Sequence, residues 1–314
     1  MKFTGFFVFS IWNNKTTKQV KTIYKLKPTK IMLLQSKVLW WLFNLKAAST
    51  NCTSEAKIEG FKNRGHFFAV SQSVKISSKV TECSGMVATA KDSTFWVHND
   101  GGNKAELFEI DKKGKLLTTL PLPKAKNVDW EEITRDEKGN IYVGDFGNNT
   151  NDRKDLTIYK FPENQPDKME KINFNYAYQK QFPPTKSELN YDCEAFFALG
   201  DSLYLFTKNR GNKAVRMYAL STQAGNYSIT HKDDVFIKTM VTGAAISPNK
   251  KTFALLTYGK VFLFGIENQQ VNFKNPIDCF KFAHKQVEAI VFVTNKKLMI
   301  SNEQGELFTV SMER

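Results

Sequence analysis

A single polar residue at the start of a β-rich run recurs five times in this chain, and this repeat constrains the fold more than any other feature. In each copy an apolar residue follows two positions later, and only Ser, Thr or Glu occupies the polar position. Successive copies are 47, 63, 48 and 46 residues apart, close to the period of four-stranded β-propeller blades. The five polar residues, called the ring residues below, are Ser84, Glu131, Glu194, Thr242 and Glu288.

The segments after each ring residue read as short β-strands. They are rich in aromatic and β-branched residues, are separated by Gly, Asn and Asp turns, and show no long helical pattern. Four strands can be assigned after each of the first four ring residues, with a looser outer segment at 227–237 for the third blade. The stretches 150–190 and 225–240 lack the repeat, so we expect no sixth blade.

The two ends of the repeat region complement each other. The chain ends 26 residues after Glu288, too soon for four strands, while residues 66–80 alternate weakly before the first copy. Pairing them would remove the unpaired sheet edges of an open array. The sequence therefore predicts an all-β fold, a five-bladed β-propeller with four-stranded antiparallel blades over 62–314, in which an N-terminal strand closes the last blade.

Residues 1–61 differ from the repeats and are interpreted as a leader. Of the formal charge of +14, residues 1–50 contribute nine Lys and no acidic residue, which leaves +5 for the remainder. Because the repeats carry no basic stripe alternating with aromatic residues, nucleic acid is not an expected partner. The apolar runs at 5–12 and 38–45 are shorter than the roughly 20 residues of a membrane-spanning helix.

The order of residues from Met32 onward is typical of a secretory signal peptide. Lys37 precedes the apolar run at 38–45, and the small residues 47–49 follow it. Translation could therefore begin at Met32. Cys52 resembles the lipid-modified cysteine of bacterial lipoproteins, although Asn51 occupies a position where that motif has a small residue. We expect a monomer that is exported to the periplasm, anchored to the outer membrane by a lipid, or secreted; an unmodified Cys52 or a plain tail is the alternative.

Two further cysteines directly precede ring residues. Cys83 and Cys193 lie in non-neighbouring repeats, so we expect them to pack as small hydrophobic side chains and not to bond to each other. The chain has no CxxC or Cys/His spacing that indicates zinc.

Equivalent residues of propeller blades converge on the axis, and three of the five ring residues are glutamates. Three carboxylates in a partly dehydrated channel must take up protons or hold a cation. Oxygen ligands alone suit a hard ion, and a wide ring favours Ca²⁺ over Mg²⁺. We therefore predict one axial Ca²⁺, mainly structural, held by the ring residues. The alternative is that the glutamates cap strand ends in a water-filled channel.

The loops between the second and third strands of each blade should surround the axial mouth. They bring carboxylates and cations together, and a phosphate could be held by the cations while Asp100 or Asp145 positions a water. The candidate catalytic residues are Asp100, Asp145, Arg153, Lys208 and Arg210. The alternative is that Asn, Asp and Gly occupy these loops because tight hairpins require them.

The order of the ring residues, with the triplets SGM, EEI, EAF, TGA and EAI, resembles the bacterial SdiA-regulated propellers and the related esterase-like/phytase-like group. It is also similar to the order in the five-bladed calcium-activated nucleotidases, or soluble apyrases, whose axial calcium is held at corresponding positions. The resemblance covers about 82–314 and includes HNDGG at 98–102, GDFGNN at 144–149 and TKNRG at 207–211. It implies a propeller with an axial calcium; the acidic and aromatic loop signatures of the apyrases are absent.

Two classes of function follow from these observations. The first is a calcium-binding propeller of the cell envelope that binds a small anionic ligand or another envelope protein. The second is a calcium-dependent hydrolase of phosphate esters or anhydrides. No GxSxG or P-loop spacing occurs, and the four His residues lie at different registers. Five protein ligands would leave a metal few open positions, which favours binding over catalysis.

Overall fold

The structure, a computed structural model, describes residues 60–63, 68–237 and 239–312. The predicted signal segment and Cys52 lie outside the described residues. In the described ranges, no helix has the length and apolarity needed to cross a membrane. The regular structure is almost entirely β, with a short 3-10 turn at Pro166–Lys168 within the second blade and another at Lys186–Glu188 in the connection between the second and third blades.

The strands follow the repeat. Three short strands precede it: β1 (Lys62–Asn63), β2 (Phe68–Val70) and β3 (Val74–Lys75). Blade one contains β4 (Cys83–Ala88), β5 (Thr94–Asn99), β6 (Glu106–Asp111) and β7 (Leu116–Pro121). Blade two contains β8 (Trp130–Arg135), β9 (Asn140–Asp145), β10 (Leu156–Pro162) and β11 (Glu170–Tyr176). Blade three begins with β12 (Cys193–Leu199), β13 (Ser202–Thr207) and β14 (Ala214–Ser221).

The remaining strands complete the array. After β14 come β15 (Gly225–Ile229) and β16 (His231–Phe236). Blade four contains β17 (Val241–Ile246), β18 (Thr252–Thr257), β19 (Gly259–Gly265) and β20 (Pro276–Phe282). Blade five contains β21 (Val287–Thr294), β22 (Lys297–Asn302) and β23 (Glu306–Met312).

The five inner strands form a closed ring. Each of β4, β8, β12, β17 and β21 contacts the inner strand of both neighbouring blades, and β21 returns to β4. At the outer edge of blade five, β2 and β3 pair antiparallel with β23. The predicted five-bladed propeller, closed by an N-terminal strand in its last blade, is therefore confirmed.

Two blades carry an additional parallel strand that the sequence did not predict. In blade four, β1 pairs with β20. In blade two, β15 pairs with β11, whereas only β16 pairs with β14 in blade three. The assignment of the whole segment 227–237 to blade three was therefore wrong in part. Asn226 and Ser228 of β15 hydrogen-bond the asparagines of β11, while Ile229 is buried, which fixes β15 to blade two.

The hydrophobic core lies between neighbouring blades. Between blades three and four, the ring of Phe253 stacks at 4.9 Å on Phe264 and at 5.9 Å on Phe206. Burial of each such side chain contributes about 1.5–3 kcal/mol. Cys83 and Cys193 are buried free thiols in two different core clusters, as the sequence predicted. The blades are thus held by apolar packing, and polar residues at the axis are available for other roles.

Candidate functional site

All five ring residues occupy the same structural position. In every blade the ladder between the first and second strands skips one residue, and the skipped residue is Ser84, Glu131, Glu194, Thr242 or Glu288. Such a β-bulge leaves its extra residue unpaired and redirects the side chain. All five residues are buried. The repeat seen in the sequence therefore corresponds to a five-fold set of bulges at the start of the inner strands.

Contacts within the protein occupy one half of this ring. Lys208, which follows β13, places its Nζ 2.9 Å from Glu194 Oε2 and 5.3 Å from the centre of the Tyr258 ring. The Tyr258 hydroxyl donates to Glu288 Oε1 at 2.7 Å. Thr242 Oγ1 donates to the carbonyl of Val287 in the next blade, also at 2.7 Å. Glu194, Lys208, Tyr258 and Glu288 thus form one connected chain of contacts.

Lys208 supplies the positive charge of this chain. Burial alone would lower the pKa of Lys208, but the carboxylates around it, Glu194 first, raise that pKa well above its ordinary value. Burial raises the pKa of Glu288 to about 7, and the Lys208 ammonium opposes that rise. A charged Lys208 therefore neutralises Glu194 and partly stabilises the ionised form of Glu288.

On the side of blades one and two, three carboxylates lie close together at the axial mouth. Oxygen atoms of Asp100, Asp129 and Glu131 all lie within 4.8 Å of one another. Burial, followed by the charge of Asp100, raises the pKa of Asp129 to about 6. Burial, followed by the charge of Glu194, raises the pKa of Glu131 well above its ordinary value. In the described part of the chain, none of the three carboxylates has a Lys or Arg nitrogen within 4 Å.

Two glycines allow the backbone to approach these carboxylates. A Cβ atom at Gly101 would lie 2.4 Å from Asp129 Oδ1, and one at Gly147 would lie 2.2 Å from Glu131 Oε1. Gly101 belongs to HNDGG and Gly147 to GDFGNN. The two sequence motifs therefore line the carboxylate cluster, which consists of Asp100, Asp129 and Glu131.

Asp145 and Arg153 support the cluster and are bonded to each other. Asp145 Oδ1 accepts from the backbone N–H of Asp129 at 2.9 Å and from Arg153 Nη2 at 3.1 Å. Arg153 also donates to the carbonyl of Gly147 at 2.9 Å. Both side chains thus fix the position of Asp129 and of the loop that carries Gly147.

Arg210 makes an ion pair on the blade-three side. Its guanidinium pairs with Asp192 and donates to Asn149, while the second oxygen of Asp192 accepts from the Asn148 N–H at 2.7 Å. Asp192 is fully buried. Arg210 therefore joins the loops of blades two and three through a neutralised carboxylate.

Glu132, adjacent to a ring residue, lies across the axis. Its side chain is fully buried; Oε1 accepts from the N–H of Ile133 at 3.0 Å and Oε2 from the N–H of Ala244 at 3.2 Å. Burial raises the pKa of Glu132 well above its ordinary value. Since Ala244 belongs to a blade that is not a neighbour of blade two, Glu132 connects opposite sides of the ring.

The structure thus distributes the candidate residues between two roles. Asp100, Glu131, Glu194, Glu288 and Lys208 interact electrostatically around the mouth, whereas Asp145, Arg153 and Arg210 make supporting contacts. Sequence reasoning missed Asp129 and Glu132. For Asp129 a signal exists, because an Asp stands two residues before a ring Glu in both DWE and DCE.

Comparisons with known proteins concern both the sequence and the fold of this chain. No family model matches it, and no curated protein sequence matches it. One similar solved structure is a structural genomics protein of unknown function from Bacteroides thetaiotaomicron, which is 11% identical with a TM-score of 0.43 over 78% of this chain and 76% of that chain. The fold and the site define a five-bladed β-propeller with a carboxylate-lined axial mouth.

Proposed function

We propose that this protein binds Ca²⁺ at its axial mouth and, together with that ion, a small anionic ligand. The observation that carries the proposal is the cluster of Asp100, Asp129 and Glu131, whose oxygens lie within 4.8 Å of one another. Three carboxylates at this separation repel one another unless a cation or protons lie between them. A divalent ion relieves the repulsion without protonation.

The proposed ion lies to one side of the ring of five. Lys208 and Tyr258 already engage Glu194 and Glu288, and Thr242 donates its hydroxyl proton to a backbone carbonyl. Of the five ring residues, Glu131 is the one within the carboxylate cluster. Asp100 and Asp129 replace the ring residues of the other blades as ligands.

The composition of the cluster favours Ca²⁺ and an open coordination sphere. Ca²⁺ takes about six to eight oxygen ligands, and three carboxylates supply only part of that number. Asp100 and Asp129 are half-buried, so solvent reaches the ion from the mouth. The remaining positions suit water and an anionic group of the ligand, which supports a binding role.

Calorimetric titration of chelator-treated protein with CaCl₂ and with MgCl₂ tests the site. We expect calcium to bind more tightly and, at about 100 times its Kd, to stabilise the fold by about 2.7 kcal/mol. Asp129→Asn and Glu131→Gln should abolish both effects. Asp201→Asn, which changes an exposed carboxylate outside the cluster, should retain them. Absence of calcium heat together with an unchanged melting temperature contradicts the proposal.

The open coordination positions also favour a second candidate, a calcium-dependent hydrolase of phosphate esters or anhydrides. Asp100 lies at the cluster, where it could orient a water. Arg153 and Arg210 are engaged with Asp145 and Asp192, which leaves fewer cations for a phosphate. A screen of nucleotides, phytate and simple esters with and without calcium separates the candidates: calcium-dependent turnover lost in Asp100→Asn selects the hydrolase.

We also propose that the protein acts outside the cytoplasm, as a member of the SdiA-regulated type of propeller. The support is the signal-like order of Lys37, the apolar run 38–45 and the small residues 47–49. Mass spectrometry of the mature N-terminus from the native host tests export. A terminus at Met1 or Met32 contradicts processing, and a lipid on Cys52 identifies the anchor.

A further inference from the structure

A cavity of about 220 Å³ lies between the outer strands of blades two and three. Its walls come from β11, β14, the adjoining ends of β15 and β16, and the connection before β12. The carboxylate cluster lies elsewhere, by the inner strands of blades one and two. The polar and aromatic side chains that line it are Tyr176, Tyr178, Tyr191, Tyr218, Arg216 and His231. Its lining contains no carboxylate.

The tyrosine rings line the cavity at an angle to one another. The Tyr176 ring centre lies 5.3 Å from that of Tyr191 at an angle of 47° and 5.0 Å from that of Tyr218 at 62°. Because the rings are tilted, they do not stack flat on one another. Pockets for drug-sized ligands have volumes of about 300–1,000 Å³, so this smaller space suits a molecule with a single ring.

Tyr176 lines this space and carries a polar atom without a partner. The side chain is buried, and in the described part of the chain its hydroxyl has no hydrogen-bond partner. A buried hydroxyl without a partner destabilises the folded protein. A hydrogen-bonding group on a bound molecule would remove that destabilisation.

Arg216 gives the pocket its charge. The guanidinium carbon lies 5.9 Å from the centre of the Tyr191 ring, and the side chain is half-buried. Among the described residues, no carboxylate oxygen lies within 4 Å of its nitrogens. A guanidinium in this setting is suited to binding a carboxylate through two parallel hydrogen bonds.

We propose that this pocket binds a small ring compound that carries one carboxylate. The ring packs against the tyrosines, the carboxylate pairs with Arg216, and a hydroxyl of the ligand bonds the Tyr176 hydroxyl. A sugar acid and a hydroxylated aromatic acid share this chemistry. A quaternary ammonium compound does not fit, since Arg216 repels it and no carboxylate lines the pocket. The proposal is independent of the cation site.

Ligand-observed NMR and calorimetry with two pairs of probes test the proposal. The acids are galacturonate and 4-hydroxybenzoate, and their uncharged counterparts are galactose and phenol. We expect at least one acid to bind about tenfold more tightly than its counterpart, because its carboxylate adds charge-assisted hydrogen bonds to Arg216. Binding of galacturonate would identify the ligand as a sugar acid, and binding of 4-hydroxybenzoate would identify it as an aromatic acid. Failure of both acids to bind, or equal binding of the uncharged counterparts, overturns the proposal.

Variants assign the binding to this pocket. Arg216→Gln should weaken binding of the acid about tenfold, and Arg216→Lys should retain part of the affinity. Tyr176→Phe should weaken binding while leaving the melting temperature unchanged or higher, because it removes a hydroxyl without a partner. Tyr227→Phe is the matched control, since that hydroxyl donates to the Gln223 carbonyl outside the pocket. Unchanged affinity in Arg216→Gln, or a lower melting temperature with unchanged affinity in Tyr176→Phe, overturns the proposal.

Discussion

Blades two and three contain the same acidic pair at the same register, yet their surroundings differ. In blade two the pair is Asp129 and Glu131; in blade three it is Asp192 and Glu194, and each glutamate is the bulged residue of its inner strand. Arg210 and Lys208 neutralise the blade-three pair. Neither Asp129 nor Glu131 has such a cation within 4 Å among the described residues. The two pairs show that neighbouring side chains decide whether an acidic pair is neutralised by a nearby Lys or Arg.

The residue after the second strand accounts for much of this difference. In blade three it is Lys208, which turns toward Glu194. In blade two it is Phe146, which is fully buried and packs against Phe196 at 5.2 Å. Phe146 lies so close to Gly144 that a Cβ atom there would be 2.1 Å from the ring. Blade two therefore uses this position for the core and leaves its carboxylates without a lysine.

The largest expected effect comes from removing the cation of blade three. Lys208→Met leaves Glu194 buried and unpaired, and we expect a loss of about 3–5 kcal/mol of unfolding free energy, measured by urea denaturation. Adding Glu194→Gln should recover part of the loss. Lys138→Met, which breaks an exposed ion pair, should have no measurable effect. If Lys208→Met behaved like that control, Lys208 would not be the cation that stabilises this half of the ring.

An intermediate effect is expected from one substitution made in both blades. In calcium-free protein, Asp192→Asn should destabilise by about 2 kcal/mol because Arg210 loses its buried partner. Asp129→Asn should instead stabilise by about 1 kcal/mol because it removes one of three repelling charges. Thermal unfolding with a chelator measures both. Equal signs for the two variants would show that the blades do not differ as described.

The smallest effect is expected from a change in the close approach of Gly147 to the carboxylates of blade two. Gly147→Ala places a Cβ atom against the carboxylates of Glu131 and Asp129, and we expect calcium affinity to fall about tenfold, or roughly 1.4 kcal/mol. Gly265→Ala is the control, because its Cβ would meet the side chain of Asn275 on blade four. Titration calorimetry of both variants checks this, and an equal loss in the control would attribute the change to general destabilisation.

Much of the fold could be predicted because the sequence repeat corresponds to a structural feature that occurs once in every blade. The ring residues share a bulge in every blade, so their spacing reflects the blade period. The mistake at 227–237 occurred where β15 joins the preceding blade in parallel. A fifth strand that pairs with a blade of four strands does not follow the repeat period, so the sequence pattern does not reveal it. The strand β1 was missed for the same reason.

The site was less predictable than the fold. Asp100 and Glu131 were identified because repeat position and loop composition are visible in the sequence. Lys208 was interpreted as a cation for a phosphate, but its side chain turns toward Glu194, and loop conformation decides that direction. Asp129 was missed because the cluster combines residues of two blades. Asp100 comes from a loop of blade one, and the sequence does not show that this loop lies next to Asp129 and Glu131 of blade two.

The five bulges also affect how such a molecule can diversify. The residue at each bulge is skipped by the β-ladder, so its side chain can change while strand registration is retained. Ser, Thr and Glu already occupy the same position in different blades. The five bulge positions can therefore accept different side chains while the strand pairing of the propeller stays the same. A library of variants restricted to these positions would sample new axial chemistries without redesign of the fold.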